Sequence, residues 1–216
     1  TVLERILAGG VIAVVRLDDL GAAPKIAEAL AKGGVPAVEF TFTNRRAGEA
    51  ITAAKEALGE RGLIGAGSVL DAETARIAIL AGAEYIVTPT YKASTIETCH
   101  RYGIPVVCGA FTPTEILTAW EAGAELIKVH PASMGGSKYF KDILAPMPQV
   151  KLVPSGGVSF DNAGEFIAAG ASAVALGSNL VDTQAVRMEN WPAVEERART
   201  LKQIVELARE KRDAGH

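Results

Sequence analysis

Eight short apolar runs recur along the chain, and this repeat constrains the fold more than any other feature. The runs are nearly continuous in Val, Ile, Leu and Ala, as expected of parallel strands that are covered on both faces. They occupy residues 11–16, 36–42, 63–67, 84–89, 105–110, 125–130, 150–154 and 172–177. Amphipathic segments separate the runs, so the repeating unit is a strand followed by a helix.

Eight such units within 216 residues predict an α/β fold, a compact (β/α)8 TIM barrel that forms a single domain over residues 1–216. A doubly wound open sheet is the alternative, because strand order cannot be read from one sequence. Units of similar length favour the barrel, and so do the small residues in the third and fifth runs, which suit a tight interior. We expect an N-terminal helix before Val11 and a C-terminal helix in the charged segment that begins at Trp191.

Glycines just past the predicted helices support the same repeat. Each is expected to end a helix in the left-handed conformation shortly before the next strand. These positions are Gly34, Gly62, Gly82, Gly103, Gly123 and Gly170.

Composition and charge argue against several classes of protein. A net charge of -3 and a pI near 5.7 indicate neither a nucleic-acid nor a membrane partner. No apolar run has the length of a membrane span, and we expect no signal peptide before the first strand. Two cysteines, Cys99 and Cys108, are too few for a disulfide scaffold and are expected to be packing residues. We therefore expect a cytoplasmic protein, and three scattered histidines predict no metal site.

The loops after strands 7 and 8 carry the first functional signal. In this fold the active site lies at the carboxyl ends of the strands, and these two loops often bind phosphate through backbone N–H groups. Gly156 and Gly157 follow strand 7, and Gly177 and Ser178 follow strand 8. Each glycine alone could simply make a tight turn. Both pairs at these two positions predict a site for a small phosphorylated molecule.

A lysine within strand 6 carries the second signal. Lys128 lies among apolar residues and is expected to point into the barrel near its mouth. It could extend its amine to solvent or pair with a carboxylate. Apolar walls, however, disfavour the charged form of an amine, and a neutral amine attacks carbonyl carbon to give a Schiff base. Glu39 in strand 2 points inward as well, as an acid/base catalyst or as the counter-ion of Lys128.

Other polar residues end strands and complete the candidate site. Thr41 and Thr43 alternate with apolar residues in strand 2, so both are expected on the side of Glu39. The remaining candidates for substrate contact are Arg16, Ser68, Pro89 and His130.

Seven motifs in order resemble one family of enzymes. They are "VEFTFT", "GAGSVLD", "IVTPTY", "TPTEI", "IKVHPA", "VPSGGV" and "ALGSNLV". Together they resemble the class I aldolases that cleave 2-keto-3-deoxy-6-phosphogluconate (KDPG) and 4-hydroxy-2-oxoglutarate (KHG), over roughly residues 6–181. The resemblance implies a carbon–carbon lyase that forms pyruvate and glyceraldehyde 3-phosphate. It also implies a homotrimer that uses no metal or organic cofactor.

The resemblance also implies a role for each candidate residue. Lys128 matches the Schiff-base lysine and Glu39 the general acid/base. Ser68, where the family usually has Thr, and Arg16 would hold the carboxylate of the keto acid, against which Pro89 would pack. The glycine pairs and Ser178 match the phosphate-binding loops.

Two departures from the family pattern leave the substrate open. Thr43 occupies a position where many members have an arginine, although Arg45 and Arg46 follow it closely. Arg45 could reach inward, Arg16 could serve instead, or both Arg45 and Arg46 could lie on the surface. His130 replaces a common Phe. Gluconate-type and galactonate-type substrates, and KHG itself, therefore remain candidates.

Two other functions fit the same residues. A phosphate-binding isomerase or epimerase would share the glycine loops without needing an imine, and Lys128→Arg would then keep partial activity. A catalytically silent barrel, natural or engineered as an oligomer building block, would assemble but would not react with pyruvate.

Overall fold

Eight parallel strands close into a barrel within residues 1–215, the part of the chain that this computed structural model describes. The sheet order is β7-β6-β5-β4-β3-β2-β1-β8, and a parallel bridge between Ser155 and Ala175 joins its two edges. The strands are β1 Val11–Val15, β2 Ala37–Thr41, β3 Leu63–Gly67, β4 Tyr85–Val87, β5 Val106–Ala110, β6 Leu126–Val129, β7 Leu152–Pro154 and β8 Val174–Leu176. This closure confirms the predicted (β/α)8 barrel and excludes the open sheet.

Helices surround the barrel and connect successive strands. They are α1 Val2–Gly9, α2 Ala23–Lys32, α3 Ala47–Leu58, α4 Ala72–Leu80, α5 Ala93–Arg101, α6 Pro113–Glu121, α7 Gly136–Leu144, α8 Ala163–Ala168, α9 Thr183–Arg187 and α10 Trp191–Ala214. The expected terminal helices are α1 and α10. The predicted domain ends at His216, which lies outside the described residues. No helix within residues 1–215 combines the length and the apolar character that crossing a membrane requires.

Five of the six predicted cap glycines have the left-handed conformation, and Gly62 does not. Gly62 is extended, with φ −121° and ψ 169°. The prediction for Gly62 was wrong because α3 ends three residues earlier, at Gly59, whose φ is 53°. A short 3-10 turn, Gly59–Arg61, then fills the gap before β3.

The core has two parts, one outside the strands and one inside the barrel. The outer part packs the strands against the surrounding helices. The inner part consists of side chains that alternate with the outer ones along each strand. Its members are Ile6, Ile12, Val14, Ala37, Leu63, Tyr85, Val87, Val107, Leu126, Val153, Ala173 and Ala175. Ile6 belongs to α1, so this helix covers the amino end of the barrel.

Candidate active site

A cavity of about 270 Å³ opens at the carboxyl ends of the strands. Its walls combine most of the predicted site residues. They are Val14, Arg16, Ser68, Pro89, Lys128, His130, Ser155, Gly156, Gly157, Val158, Ala175, Gly177, Ser178 and Asn179. A larger groove of about 650 Å³ lies beside it and shares Arg16, but Lys128 and the glycine loops do not line that groove. The chemistry that the sequence predicts therefore belongs to the smaller cavity.

Lys128 lies in the wall of the barrel, between β5 and β7. Its neighbours in register are Gly109 and Val153. The side chain is 8% exposed, and its Nζ lies 3.6 Å from Oε1 of Glu39. An amine held at the edge of an apolar interior and open to a cavity is well placed to attack a bound carbonyl group.

Glu39 lies deeper than Lys128 and does not line the cavity. It is 1% exposed, and no described residue forms a hydrogen bond with either carboxylate oxygen. A methyl group at Gly67 would come within 2.6 Å of Oε1, so this glycine makes room for the carboxylate. Burial raises the pKa of Glu39, while the Lys128 ammonium opposes that rise. A carboxyl group whose pKa is raised in this way can act as both proton acceptor and proton donor.

Arg16 and Ser68 meet on one side of the cavity. Nη2 of Arg16 lies 3.4 Å from Oγ of Ser68 and donates to it. Ser68 has a positive φ of 55° just after β3 ends. A guanidinium and a hydroxyl at one rim can together hold a carboxylate.

Pro89 follows β4 and lies against β5 because of a glycine in that strand. A methyl group at Gly109 would overlap the carbonyl of Pro89. The missing side chain therefore lets the end of β4 approach β5 closely. The ring of Pro89 then forms part of the apolar surface beside Lys128.

The two glycine loops face the cavity with free backbone donors. Gly156 and Gly157 have φ values of 79° and 81°. Within residues 1–215 no hydrogen-bond acceptor pairs with their N–H groups or with that of Ser178. A side chain on Gly157 would meet Ser133, with Cβ only 2.5 Å from the Cβ of that serine. Free donors beside a shared cavity match what an anion such as phosphate requires.

His130 lines the cavity next to Gly156 and has an exposed ring. A methyl group at Gly156 would lie 2.9 Å from two ring atoms of His130, so the imidazole packs on that loop. Partial burial lowers the pKa of His130, and the charge of Lys128 lowers it further. The lowered pKa favours the neutral imidazole at pH 7.

Thr41 and Thr43 do not line the cavity. Thr41 is buried with its hydroxyl 2.8 Å from that of Thr43, which is exposed and lies beyond the end of β2. Thr43 and Arg45 instead line a shallow pocket that shares Arg16. Arg46 pairs with Glu49 at 2.9 Å on the surface. Of the two arginines after Thr43, neither reaches the cavity wall, which leaves Arg16 as the cavity's guanidinium.

Two polar residues of the cavity were not predicted. Ser155 is 6% exposed and directly precedes the first glycine loop. Asn179 follows Ser178, and its Nδ2 donates to the carbonyl of Val158 at 2.9 Å. The carbonyl of Asn179 accepts from Arg197 of α10. Asn179 thus ties the two glycine loops together, and its place beside Ser178 was the only sequence signal for it.

Comparisons with known proteins agree along most of the chain. The family model described as "Aldolase: KDPG and KHG aldolase" matches residues 2–197. The 2-dehydro-3-deoxy-phosphogluconate aldolase of Treponema pallidum (strain Nichols) is 32% identical over 206 residues, which cover 95% of this chain and 98% of that protein. The 2-dehydro-3-deoxy-6-phosphogalactonate aldolase of Escherichia coli (strain K12) is 36% identical over 153 residues, which cover 70% and 75%.

A solved structure adds a chemical observation on a similar protein. It is KDPG aldolase from Legionella pneumophila, with pyruvate captured at low pH as a covalent carbinolamine intermediate. Its TM-score with this chain is 0.86 at 27% identity, covering 93% of this chain and 98% of that one. The similarity therefore concerns the whole barrel rather than a single motif.

Proposed function

This chain belongs to the KDPG and KHG aldolase family, and we propose that it cleaves KDPG, or a close relative, to pyruvate and glyceraldehyde 3-phosphate. It is a class I aldolase, a carbon–carbon lyase. One observation carries the proposed assignment of the site. The almost buried Lys128 opens into a cavity with free N–H groups at one end, and Glu39 lies 3.6 Å behind its amine.

The proposed reaction begins at the amine of Lys128. Its neutral Nζ adds to the C2 carbonyl carbon of the substrate, and the resulting carbinolamine loses water to give a protonated imine. Before this step the amine must give up a proton. Glu39 is the nearest carboxylate, and its ionised form can accept that proton and return it to the hydroxyl that leaves the carbinolamine as water, so that Glu39 is ionised again before cleavage.

Cleavage then breaks the bond between C3 and C4. The electron pair of that bond moves toward the positively charged imine and forms an enamine. The C4 hydroxyl loses its proton to Glu39, directly or through one water, and the aldehyde leaves. Glu39 returns the proton to C3, and water hydrolyses the pyruvate imine to release pyruvate and restore Lys128.

The two anionic ends of the substrate fit the two ends of the cavity. We assign the keto-acid carboxylate to Arg16 and Ser68, with Pro89 as the apolar wall beside it. We assign the phosphate to the N–H groups of the two glycine loops and to the Ser178 hydroxyl. Such binding at both ends would hold the scissile bond over Lys128.

A galactonate-type substrate is the second candidate. The 2-dehydro-3-deoxy-6-phosphogalactonate aldolase of Escherichia coli (strain K12) has 36% identity to this chain. The gluconate and galactonate forms differ in the configuration at C4, the carbon whose hydroxyl faces the acid/base. Apart from Arg16 and Lys128, which we assign to the keto-acid end, no arginine or lysine lines this cavity among the described residues, so both C4 configurations remain candidates.

We also propose a cytoplasmic homotrimer. Three large apolar side chains, Leu70, Ile77 and Leu80, are 60%, 56% and 70% exposed on and beside α4. An apolar surface of this kind is typical of a contact between subunits. Free, buried Cys99 and Cys108 fit a reducing compartment. Sedimentation of the purified chain should give three times the monomer mass, and Leu80→Lys should lower it.

Steady-state kinetics on purified enzyme test the proposed function. Pyruvate release is measured by coupling to lactate dehydrogenase with KDPG, its galactonate epimer and KHG as separate substrates. We expect the highest kcat/KM with KDPG or its epimer and a lower value with KHG, which lacks the phosphate. A folded enzyme that releases no pyruvate from any of the three would overturn the proposal.

A further inference from the structure

Glu39 and Tyr85 lie in one row across the barrel interior, separated by a single glycine. The strand register pairs Glu39 with Gly65, and Gly65 with Tyr85. Adjacent strands lie about 4.8 Å apart, so Glu39 and Tyr85 are two strand spacings from each other. Because Gly65 has no side chain, nothing from β3 fills the space between them.

The ring of Tyr85 covers this glycine. A methyl group at Gly65 would overlap the hydroxyl-bearing end of the Tyr85 ring, with Cε1 and Cε2 at 2.6 and 2.5 Å. The ring therefore extends from β4 across β3 toward β2. The strand on its far side is the one that carries Glu39.

Three buried polar atoms of this row have no hydrogen-bond partner among the described residues. They are the hydroxyl of Tyr85 and both carboxylate oxygens of Glu39. Tyr85 is 0% exposed and Glu39 1% exposed, so solvent outside the barrel does not reach either group. A buried tyrosine hydroxyl usually has a partner, and an unpaired one is costly.

We infer that Tyr85 is a positioning residue, and that its phenolic O–H donates to the carboxylate of Glu39 when that carboxylate is ionised. The inferred hydrogen bond requires the Glu39 side chain to rotate toward the Tyr85 hydroxyl, whose ring already occupies the space at Gly65. The inference rests on the proposed role of Glu39 as acid/base. In this arrangement the hydroxyl of Tyr85 donates to Glu39 from the side of the carboxylate that faces away from the substrate.

The positions of the charged groups around Glu39 show where the Tyr85 hydroxyl could stabilise its carboxylate. Lys128 approaches from β6 and Arg16 from the end of β1, whereas β3 presents Gly65 and Gly67 at the level of Glu39. Once Lys128 is bound covalently to substrate as a protonated imine, its nitrogen keeps one N–H where the ammonium had three. Tyr85 then supplies a second donor to the carboxylate from the opposite side of the row. Burial, and then the charges of Glu39 and Glu84, raise the pKa of Tyr85, so the phenol stays protonated and remains a donor.

Titration of Glu39 in Tyr85→Phe tests the inference directly. The side-chain carboxyl carbon of Glu39 is followed by ¹³C NMR, with its signal assigned through its absence in Glu39→Gln. Loss of one donor disfavours the ionised carboxylate, so we expect the titration midpoint to rise by roughly 0.5–1 pH unit. The midpoint of the acid limb in the pH profile of kcat/KM should move to higher pH by the same amount. The pyruvate adduct on Lys128 should still form.

Tyr102→Phe is the matched control. Tyr102 is 45% exposed at the end of α5, with Arg76 over its ring, and lies outside the barrel interior. Its variant should titrate and react as the wild type does. An unchanged or lower midpoint in Tyr85→Phe would overturn the inference, because a structural role of the ring alone would not move it.

A second replacement covers the case in which Tyr85→Phe does not fold. Site-specific 3-fluorotyrosine at position 85 keeps the ring and makes the hydroxyl a stronger donor, so the midpoint should fall rather than rise. A midpoint equal to that of the wild type would again contradict the inference. The titration needs no substrate. Failure of the proposed function would appear separately, as a wild-type enzyme that neither releases pyruvate nor is labelled by it.

Discussion

The two ends of the barrel interior contrast in chemistry although the same eight strands form both. At the amino end, Ile6 of α1 and the inward side chains of the first strand residues form a closed apolar core. At the carboxyl end, the interior holds Glu39 and Lys128, and a cavity of about 270 Å³ opens above them. One end is built for stability, and the other has polar groups that stability alone does not require.

The difference between the two ends indicates a catalytic role for the buried pair of Lys128 and Glu39. Desolvation opposes burial of a lysine and a glutamate, and their attraction commonly does no more than offset it. An apolar pair of similar size would fit the interior at least as well. The polar pair lies where the cavity makes it reachable by a ligand, which favours a catalytic role over a structural one.

Replacing Lys128 should have the largest effect on the chemistry at the carboxyl end of the barrel. In Lys128→Met we expect kcat to fall by roughly 10⁴–10⁶-fold, because no imine can form. The fold should survive, since the raised pKa of Glu39 lets that residue become neutral once its partner is gone. Cleavage assays and thermal unfolding measure the two effects.

A surface pair provides the control for that variant. Lys138 pairs with Asp142 at 2.6 Å, and their side chains are 83% and 59% exposed. Lys138→Met should leave kcat unchanged and alter the free energy of unfolding by less than about 1 kcal/mol. A Lys128→Met enzyme that keeps more than a small fraction of its activity would show that the amine is not the nucleophile.

Glu39→Gln should have the next largest effect. Loss of the acid/base should lower kcat by roughly 10²–10⁴-fold, while the pyruvate adduct on Lys128 still forms. In the wild type, ionised Glu39 is lost as pH falls through its raised pKa. The acid limb of kcat/KM should therefore lie above about pH 4.3, the ordinary value for glutamate.

The pH profile of the variant completes that test. Glu39→Gln should lack the acid limb, whereas Glu49→Gln, which changes a surface pair with Arg46, should keep it. An acid limb that persists in Glu39→Gln at the same pH would assign the titration to another group.

Damage to the amino end should affect stability and not chemistry. Ile6 is 1% exposed, and Ile6→Ala leaves a cavity in the inner core. We expect unfolding to become easier by about 2–5 kcal/mol, with kcat unchanged at temperatures where the protein is folded. Urea unfolding measures this change in the free energy of unfolding. Leu207→Ala is the control, and because Leu207 is 55% exposed, that variant should change the free energy of unfolding little. A matching fall in kcat would mean that the two ends are coupled.

A loop change should give the smallest effect and separate phosphate binding from the imine chemistry. Gly157 has a φ of 81° and lies against Ser133, so Gly157→Ala forces the loop to move. We expect KM for KDPG to rise about tenfold, which corresponds to 1–2 kcal/mol of strain. KM for KHG, which has no phosphate, should not change.

The matched control for the loop is a glycine far from the cavity. Gly59 also has a positive φ, 53°, and has open space around its Cβ position. Gly59→Ala should cost stability but leave KM for both substrates as it was. Equal rises in KM for KDPG and KHG in Gly157→Ala would place the phosphate elsewhere.

Much of the fold could be predicted from sequence because each strand is buried on both faces. Near-continuous apolarity found all eight strands, and alternation placed Glu39 and Lys128 inside the barrel. Thr43 has its hydroxyl beside that of Thr41, as alternation predicts, but it lies beyond the end of β2 and outside the cavity. Gly62 was misjudged because a 3-10 turn extends the segment before β3.

The unpredicted parts of the site depend on contacts between distant segments. Asn179 matters because its amide meets the carbonyl of Val158, 21 residues away, and no local pattern encodes that approach. Tyr85 appears in sequence as an ordinary strand residue. Its position relative to Glu39 follows from the register across Gly65, which only the closed sheet defines.

Borohydride reduction in the presence of pyruvate, followed by peptide mass mapping, tests the central claim most directly. We expect one reduced pyruvyl adduct, on Lys128, and none in Lys128→Met. Lys138→Met should be labelled like the wild type. A folded wild-type protein that takes up no pyruvate, or one labelled at a different lysine, would contradict the assignment of Lys128 as the nucleophile.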